Sequence, residues 1–132
     1  MTRRDLAETL LRKATEDLEA LRVLAVASTV ADWVVGFHAQ QAVEKAVKAV
    51  VTAAGLRAGK THDLEELLAP VGDARIDVPQ WLAATADLQQ FAVIGRYVEL
   101  PLDEPFDRDA TVGLVERSLG WAAERVAEAA TA

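Results

Sequence analysis

The chain has 132 residues, no cysteine, two histidines and a formal charge of −7 at neutral pH. That length suits one domain that needs no staples. The missing thiols exclude disulfides, thiolate metal sites and cysteine nucleophiles, and an acidic chain is unsuited to general nucleic-acid coating.

With 52% hydrophobic but only 5% aromatic residues, the interior must be filled by alanine, valine and leucine, which favours close-packed helices over a β-sandwich. The opening "MTRRDLAETLLRKATEDLEA" sets acids in its first turns and lacks a continuous apolar run, so it does not read as a secretory signal. Leu6, Leu10, Ala14, Leu18, Leu21 and Ala25 recur every three or four residues with charged residues between them. They predict an amphipathic helix over roughly residues 4–28. The stretch "VLAVASTVADWVVGF" is interrupted by Ser28, Thr29 and Asp32 and is too short to cross a bilayer. No membrane association is expected, and a cytoplasmic location is the default expectation. Asp32 is placed to cap a second helix running to about Ala54, with Gly55 as its stop.

"LRAGKT" reads as a loop. Its "GKT" lacks the earlier glycine of a phosphate-binding loop and follows a helix, so it is not one. Thr61 or Asp63 is expected to cap a short helix bearing Glu65 and Glu66 in its first turn and ended by Pro70 and Gly72. "VGDARIDV" is a connector. Pro79 opens a fourth helix, "PQWLAATADLQQFAVIG", which Gly95 should stop. "RYVELPLDEPFDRD" is an ordered loop, after which Asp107 or Asp109 caps a last helix with Val112, Val115, Leu119, Ala122 and Val126 on its apolar stripe. The expectation is a single domain over residues 1–132, an all-α up-and-down bundle of four main helices plus one short helix.

Charge is unevenly distributed. Residues 33–62 carry Lys45, Lys48, Arg57 and Lys60 against Glu44, whereas residues 63–87 carry six acids against Arg75. On the second helix, His38, Gln41, Lys45, Lys48 and Thr52 share one narrow arc at about 100° per residue. An apolar arc of Ala39, Ala42, Val43, Ala46, Val47, Ala49, Val50 and Ala53 lies beside it. One reading is the solvated side of an amphipathic helix. The other starts from the row's composition: an idle face mixes acids and bases, whereas this one has donors, two lysines and no carboxylate, as a phosphate would require. Gln40 and Glu44 flank the row, and Glu44 can pair with Lys48 one turn on.

"FHAQQAVEKAVKAVVTAAG", then "KTHDLEELL", then "LQQFAVIGRYVE", in that order, resemble the HEPN domains of prokaryotes across nearly the whole chain. The resemblance implies a helical bundle that forms homodimers, pairing with a minimal nucleotidyltransferase in a toxin–antitoxin-like arrangement, and nucleotide or RNA binding. The family pattern falls on Gln40, Gln41, Glu44, Lys45, Lys48, Thr61, His62, Asp63, Leu64, Arg96 and Tyr97. Val98 follows Tyr97 where members often continue into proline.

The ribonucleases of this family place an arginine four to six residues before a histidine near the start of a late helix. This chain has no histidine after residue 62. Arg57 precedes His62 with four residues between, but in the loop before the short helix. The expectation is therefore a non-catalytic domain, dimeric, binding a nucleotide or a nucleotidyltransferase partner. Its ligand-binding residues would be His38, Gln41, Lys45, Lys48, His62, Arg96 and Tyr97, with no metal and no cofactor. Two alternatives remain: an RNA-cleaving toxin using Arg57 and His62, and an interaction module without a ligand. Trp33, Trp81 and Trp121 read as core or interface anchors.

Overall fold

The computed structural model describes residues 1–57, 59–92 and 105–131. Among the described residues, four α-helices and one 3₁₀ helix follow in order: α1 (Arg3–Ala25), α2 (Asp32–Ala53), α3 (Leu64–Asp73), the 3₁₀ helix (Gln80–Phe91) and α4 (Arg108–Thr131). The all-α expectation holds, and the boundaries of the first two helices fall within three residues of those expected.

Helix α1 begins at a reciprocal cap. The Thr2 hydroxyl accepts from the Asp5 amide and the Asp5 carboxylate accepts from the Thr2 amide, each at 3.0 Å. Those bonds, the backbone one foremost, hold the Asp5 carboxyl below its usual value. The helix ends three residues before the expected break because a distant side chain takes over its carbonyls. Arg108 of α4 donates from Nη1 to the carbonyls of Leu24, Ala25 and Ala27 at 3.0–3.3 Å and from Nη2 to that of Val30. A helix end leaves such carbonyls without partners, and a fixed guanidinium fork satisfies several together.

The same arginine explains a second difference. Asp32 is the first residue of α2 and not its cap, which is Ala31 without a side-chain bond. Its carboxylate is turned instead to Arg108 Nε at 3.0 Å. At its other end α2 stops as expected. Gly55 adopts φ +73° and the Leu56 amide reaches back to the Val51 carbonyl at 3.0 Å, the wrapped-back ending that glycine favours.

Helix α2 is the hub. It touches every other helix and buries Val35, Ala39, Ala42, Val43, Ala46, Val47, Ala49, Val50 and Val51. Helices α1 and α4 pack on it and on each other, whereas among the described helices α3 meets α2 and the 3₁₀ helix. Gly36 marks the closest approach: a Cβ there would lie 2.5 Å from the Phe91 ring.

Helix α3 is capped by Asp63, whose Oδ1 accepts from the Glu65 and Glu66 amides. Pro70 does not end it. The helix continues to Asp73, with Val71 fully buried. The turn that stops it falls at Arg75, which takes the left-handed φ of 61°. The Arg75 amide bonds to Gly72 and the Ile76 amide to Val71.

The fourth element is the largest departure: 3₁₀ where an α-helix was expected. Its buried residues are Leu82, Thr85, Leu88 and Phe91, spaced by three throughout. On a helix of three residues per turn such positions stack in one line, whereas at 3.6 per turn they would spiral off the core. Tertiary burial has selected the tighter winding. The expected stop at Gly95 lies outside the described residues.

Helix α4 is capped by Asp107, which accepts from the Ala110 amide at 2.9 Å. Of the three tryptophans, Trp121 is buried and donates to the Asp77 carbonyl at 2.8 Å. Trp33 is half-buried against the core. Trp81 remains 37% exposed, with the Arg117 guanidinium 5.6 Å above its ring. Among the described residues no helix is long and apolar enough to cross a membrane.

Candidate functional site

The polar row on α2 does not face one recess. Its members are drawn apart by partners that the row itself does not reveal. His38 donates from Nδ1 to the Val34 carbonyl at 2.9 Å, within its own helix. Lys45 reaches across to Asp17 of α1 at 2.6 Å, a half-buried ion pair in the α1–α2 seam. Gln41 donates to the neighbouring Gln40 side chain at 2.7 Å. Lys48 turns to Glu44 of its own helix, at 3.4 Å.

Glu44 was expected only as a flanking partner for Lys48. Its side chain is 6% exposed, a buried carboxylate on the hub helix. Three donors converge on it. Gln40 Nε2 reaches Oε1 at 3.2 Å, Lys48 Nζ reaches Oε2 at 3.4 Å, and His62 Nδ1 lies 3.1 and 3.2 Å from the two oxygens. Gln40 is itself wholly buried, and its oxygen accepts from Gln41. A buried carboxylate without such donors would carry a large desolvation cost. The network makes the position tenable.

His62 is fixed from two directions. Glu44 holds the ring. Gln89 of the 3₁₀ helix holds the backbone by donating to the His62 carbonyl at 3.2 Å while accepting from the Leu64 amide at 3.1 Å. Just before it, the Thr61 hydroxyl donates to Glu66 at 2.6 Å and accepts from the Asp63 amide. The His62 ring thus has a carboxylate partner.

An ionised carboxylate only accepts, so the bond to Glu44 places the ring proton on Nδ1. The side chain is 71% exposed, and Nε2 is the nitrogen left for a ligand. It can accept when the ring is neutral and donate when the ring is charged. Arg57 and Lys60 are exposed in the adjoining loop. The Arg3 guanidinium lies against Gly55 at the end of α2, so close that a Cβ there would sit 2.9 Å from Nη1.

Of the residues expected to bind, Lys48 and His62 come together on one carboxylate, and Gln41 joins them through Gln40. His38 and Lys45 are engaged elsewhere, and Arg96 and Tyr97 lie outside the described residues. Sequence reasoning missed Glu44 as the centre and Gln40 and Gln89 as its supports. The available signal was the spacing of Gln40 and Glu44, one turn apart and in step with the buried positions 43 and 47. Among the described residues no group of three or more His, Asp or Glu side chains is arranged to hold a metal.

The fold and site together define an all-α domain in which one buried carboxylate on a central helix presents a surface imidazole and a lysine. The HEPN domain model matches residues 7–128, and the chain belongs to the HEPN family. Comparison with curated proteins and with solved structures gives no match.

Proposed function

We propose that this HEPN domain is non-catalytic and dimeric. It binds the phosphates of a nucleotide, free or carried by a nucleotidyltransferase partner, where Lys48 and His62 meet Glu44. The observation that carries the reading is the shared carboxylate. Glu44 fixes the imidazole so that Nε2 faces solvent, and it holds the Lys48 ammonium beside it. A preset donor pair spares a ligand the ordering cost of two side chains. Arg57 and Lys60 are exposed in the loop that leads to His62, and Arg3 lies against Gly55 beyond the end of α2; exposed cations of this kind attract a polyanion.

Calorimetric titration with ATP as the probe tests this. Lys48→Gln and His62→Gln should each weaken binding at least about tenfold, or 1.4 kcal/mol. Lys45→Gln should leave it unchanged, because Asp17 holds that ammonium in the seam. Absence of ATP binding, or binding indifferent to Lys48 and His62, overturns the assignment. Sedimentation of the purified protein checks the dimer.

One feature favours a second reading. A surface histidine whose Nδ1 is held by a buried carboxylate has the geometry of a general base, and Arg57 stands nearby in sequence to meet phosphate charge. RNA incubated with pure protein stays intact on the first reading. Cleavage that disappears in His62→Ala would establish the second.

A further inference from the structure

Away from His62, α3 and the 3₁₀ helix leave an apolar groove open between them. Helix α3 is apolar on two sides. Leu64, Leu67 and Val71 face the core, and Leu68, Ala69 and Gly72 line the groove. On the opposite wall Gln80, Ala83 and Ala86 form the edge, three residues apart, next to the buried line of the 3₁₀ helix. Val78 and Pro79 close one end. The groove measures about 430 Å³. A cavity of about 220 Å³ shares Leu64, Glu65 and Ala86 with it and extends it to Asp63 and Gln89.

The charged residues that line the groove and its extension are both acidic, Asp63 and Glu65. Residues 63–87 hold Asp63, Glu65, Glu66, Asp73, Asp77 and Asp87 against the single cation Arg75. Glu65, Asp73, Asp77 and Asp87 are exposed. Arg125, 3.7 Å from Asp77, and Arg117, stacked on Trp81, do not line the groove.

We propose that this groove docks a basic amphipathic helix of a partner protein, with small apolar side chains seated between α3 and the 3₁₀ helix and lysines or arginines against the acidic rim. The walls set the size. Ten residues of α3 span about 15 Å and twelve residues of the 3₁₀ helix about 24 Å, so an occupant of roughly 14 residues fits. An apolar floor supplies affinity, and the surrounding charge selects the sign of the partner. A docked helix would reach Asp63 and Gln89, the residues that cap α3 and hold the His62 carbonyl.

The test uses the full chain, ¹⁵N-labelled, and a synthetic helix of about 14 residues with leucine and alanine on one face and lysine on the other. Saturable amide shifts are expected over residues 64–72 and 78–89. Binding should weaken at least about fivefold in Glu65→Lys and be abolished in Ala83→Lys, each checked for native circular dichroism. The same peptide with glutamate in place of lysine should not bind. No saturable shift, shifts centred on α1 or α2, or equal binding of the glutamate peptide overturns the proposal. So does a concentration-dependent shift of the groove amides without peptide, since a second copy would then be the occupant.

Discussion

Glu44→Gln keeps the size and shape of the side chain while removing its charge, and so isolates what the carboxylate does. In the wild type three donors point at two oxygens that can only accept. A glutamine offers one oxygen and one amide nitrogen, so at least one donor then faces another donor in a pocket that is almost closed to water. The Lys48 side chain, 24% exposed, can turn outward, and His62 can swing into solvent. Gln40 cannot, being buried and already committed to Gln41. The expected loss is that of one unsatisfied buried polar group, about 1–3 kcal/mol. For a chain of this length that lowers the thermal midpoint by roughly 4–12 °C. The second readout is specific to the site. Ring ¹⁵N shifts of His62 should show the proton on Nδ1 in the wild type and moving toward Nε2 in the variant, because the acceptor that held it is gone. A midpoint within about 1 °C of wild type together with an unchanged tautomer would refute the idea that Glu44 positions the imidazole.

Arg108→Ala should lower stability by about 2–4 kcal/mol, since charge-assisted bonds to several carbonyls are lost together. Hydrogen exchange should rise selectively over residues 24–31. Gly36→Ala gains about 1 kcal/mol of helix propensity but forces the Phe91 ring aside, which costs about 1–3 kcal/mol. Chemical denaturation should show net destabilisation, with no loss in a Gly36→Ala/Phe91→Leu double variant relative to Phe91→Leu alone. Arg75→Gly relieves a left-handed φ and should stabilise by roughly 0.5–1 kcal/mol in the same assay. The depressed Asp5 carboxyl gives a pH signature. Its contribution is present above the unfolded carboxyl value and fades as pH falls through the lower folded one. Exchange at the start of α1 should therefore increase on acidification, and the dependence should vanish in Asp5→Asn.

The sequence carried the local signals well. Asp63, Gly55 and Asp107 mark helix ends through bonds to their immediate neighbours, and the valine and alanine stripe of α2 locates the core. What it did not carry was set by partners far along the chain. Arg108 governs where α1 ends and why Asp32 is not a cap, across more than 75 residues. The 3₁₀ winding was legible in the triplet spacing of Leu82, Thr85, Leu88 and Phe91, yet the same segment also satisfies a helical reading until one knows which side is buried. Glu44 was hidden for a similar reason. On a helical wheel it is a plausible surface partner for Lys48, and its burial follows from the folded chain, where the His62 loop meets it. The polar row was a real alignment. Its chemistry was divided by Asp17 on one side and Glu44 on the other, neither adjacent to it in the way spacing reveals.

A packing argument alone does not account for Glu44. Along α2 the buried positions are otherwise alanine, valine and glycine, apart from Gln40, and an alanine or leucine at 44 would build the same bundle without a desolvated charge. Replacing buried ionic groups by apolar ones of similar volume is often neutral or stabilising. The carboxylate is instead surrounded by residues that make sense only in relation to it: Gln40 saturates it from within the core, Lys48 and His62 approach it from the surface, and Gln89 steadies the backbone that delivers His62. Counting Glu44 itself, three of the five lie on one helix, while His62 lies in the loop before α3 and Gln89 on the 3₁₀ helix. That is the arrangement by which a scaffold holds a side chain in a fixed pose, and the side chain so held is an exposed imidazole with one free nitrogen. The stability forgone at position 44 thus has its counterpart in the orientation of His62, which is why the proposed function is placed there and not along the row of lysines.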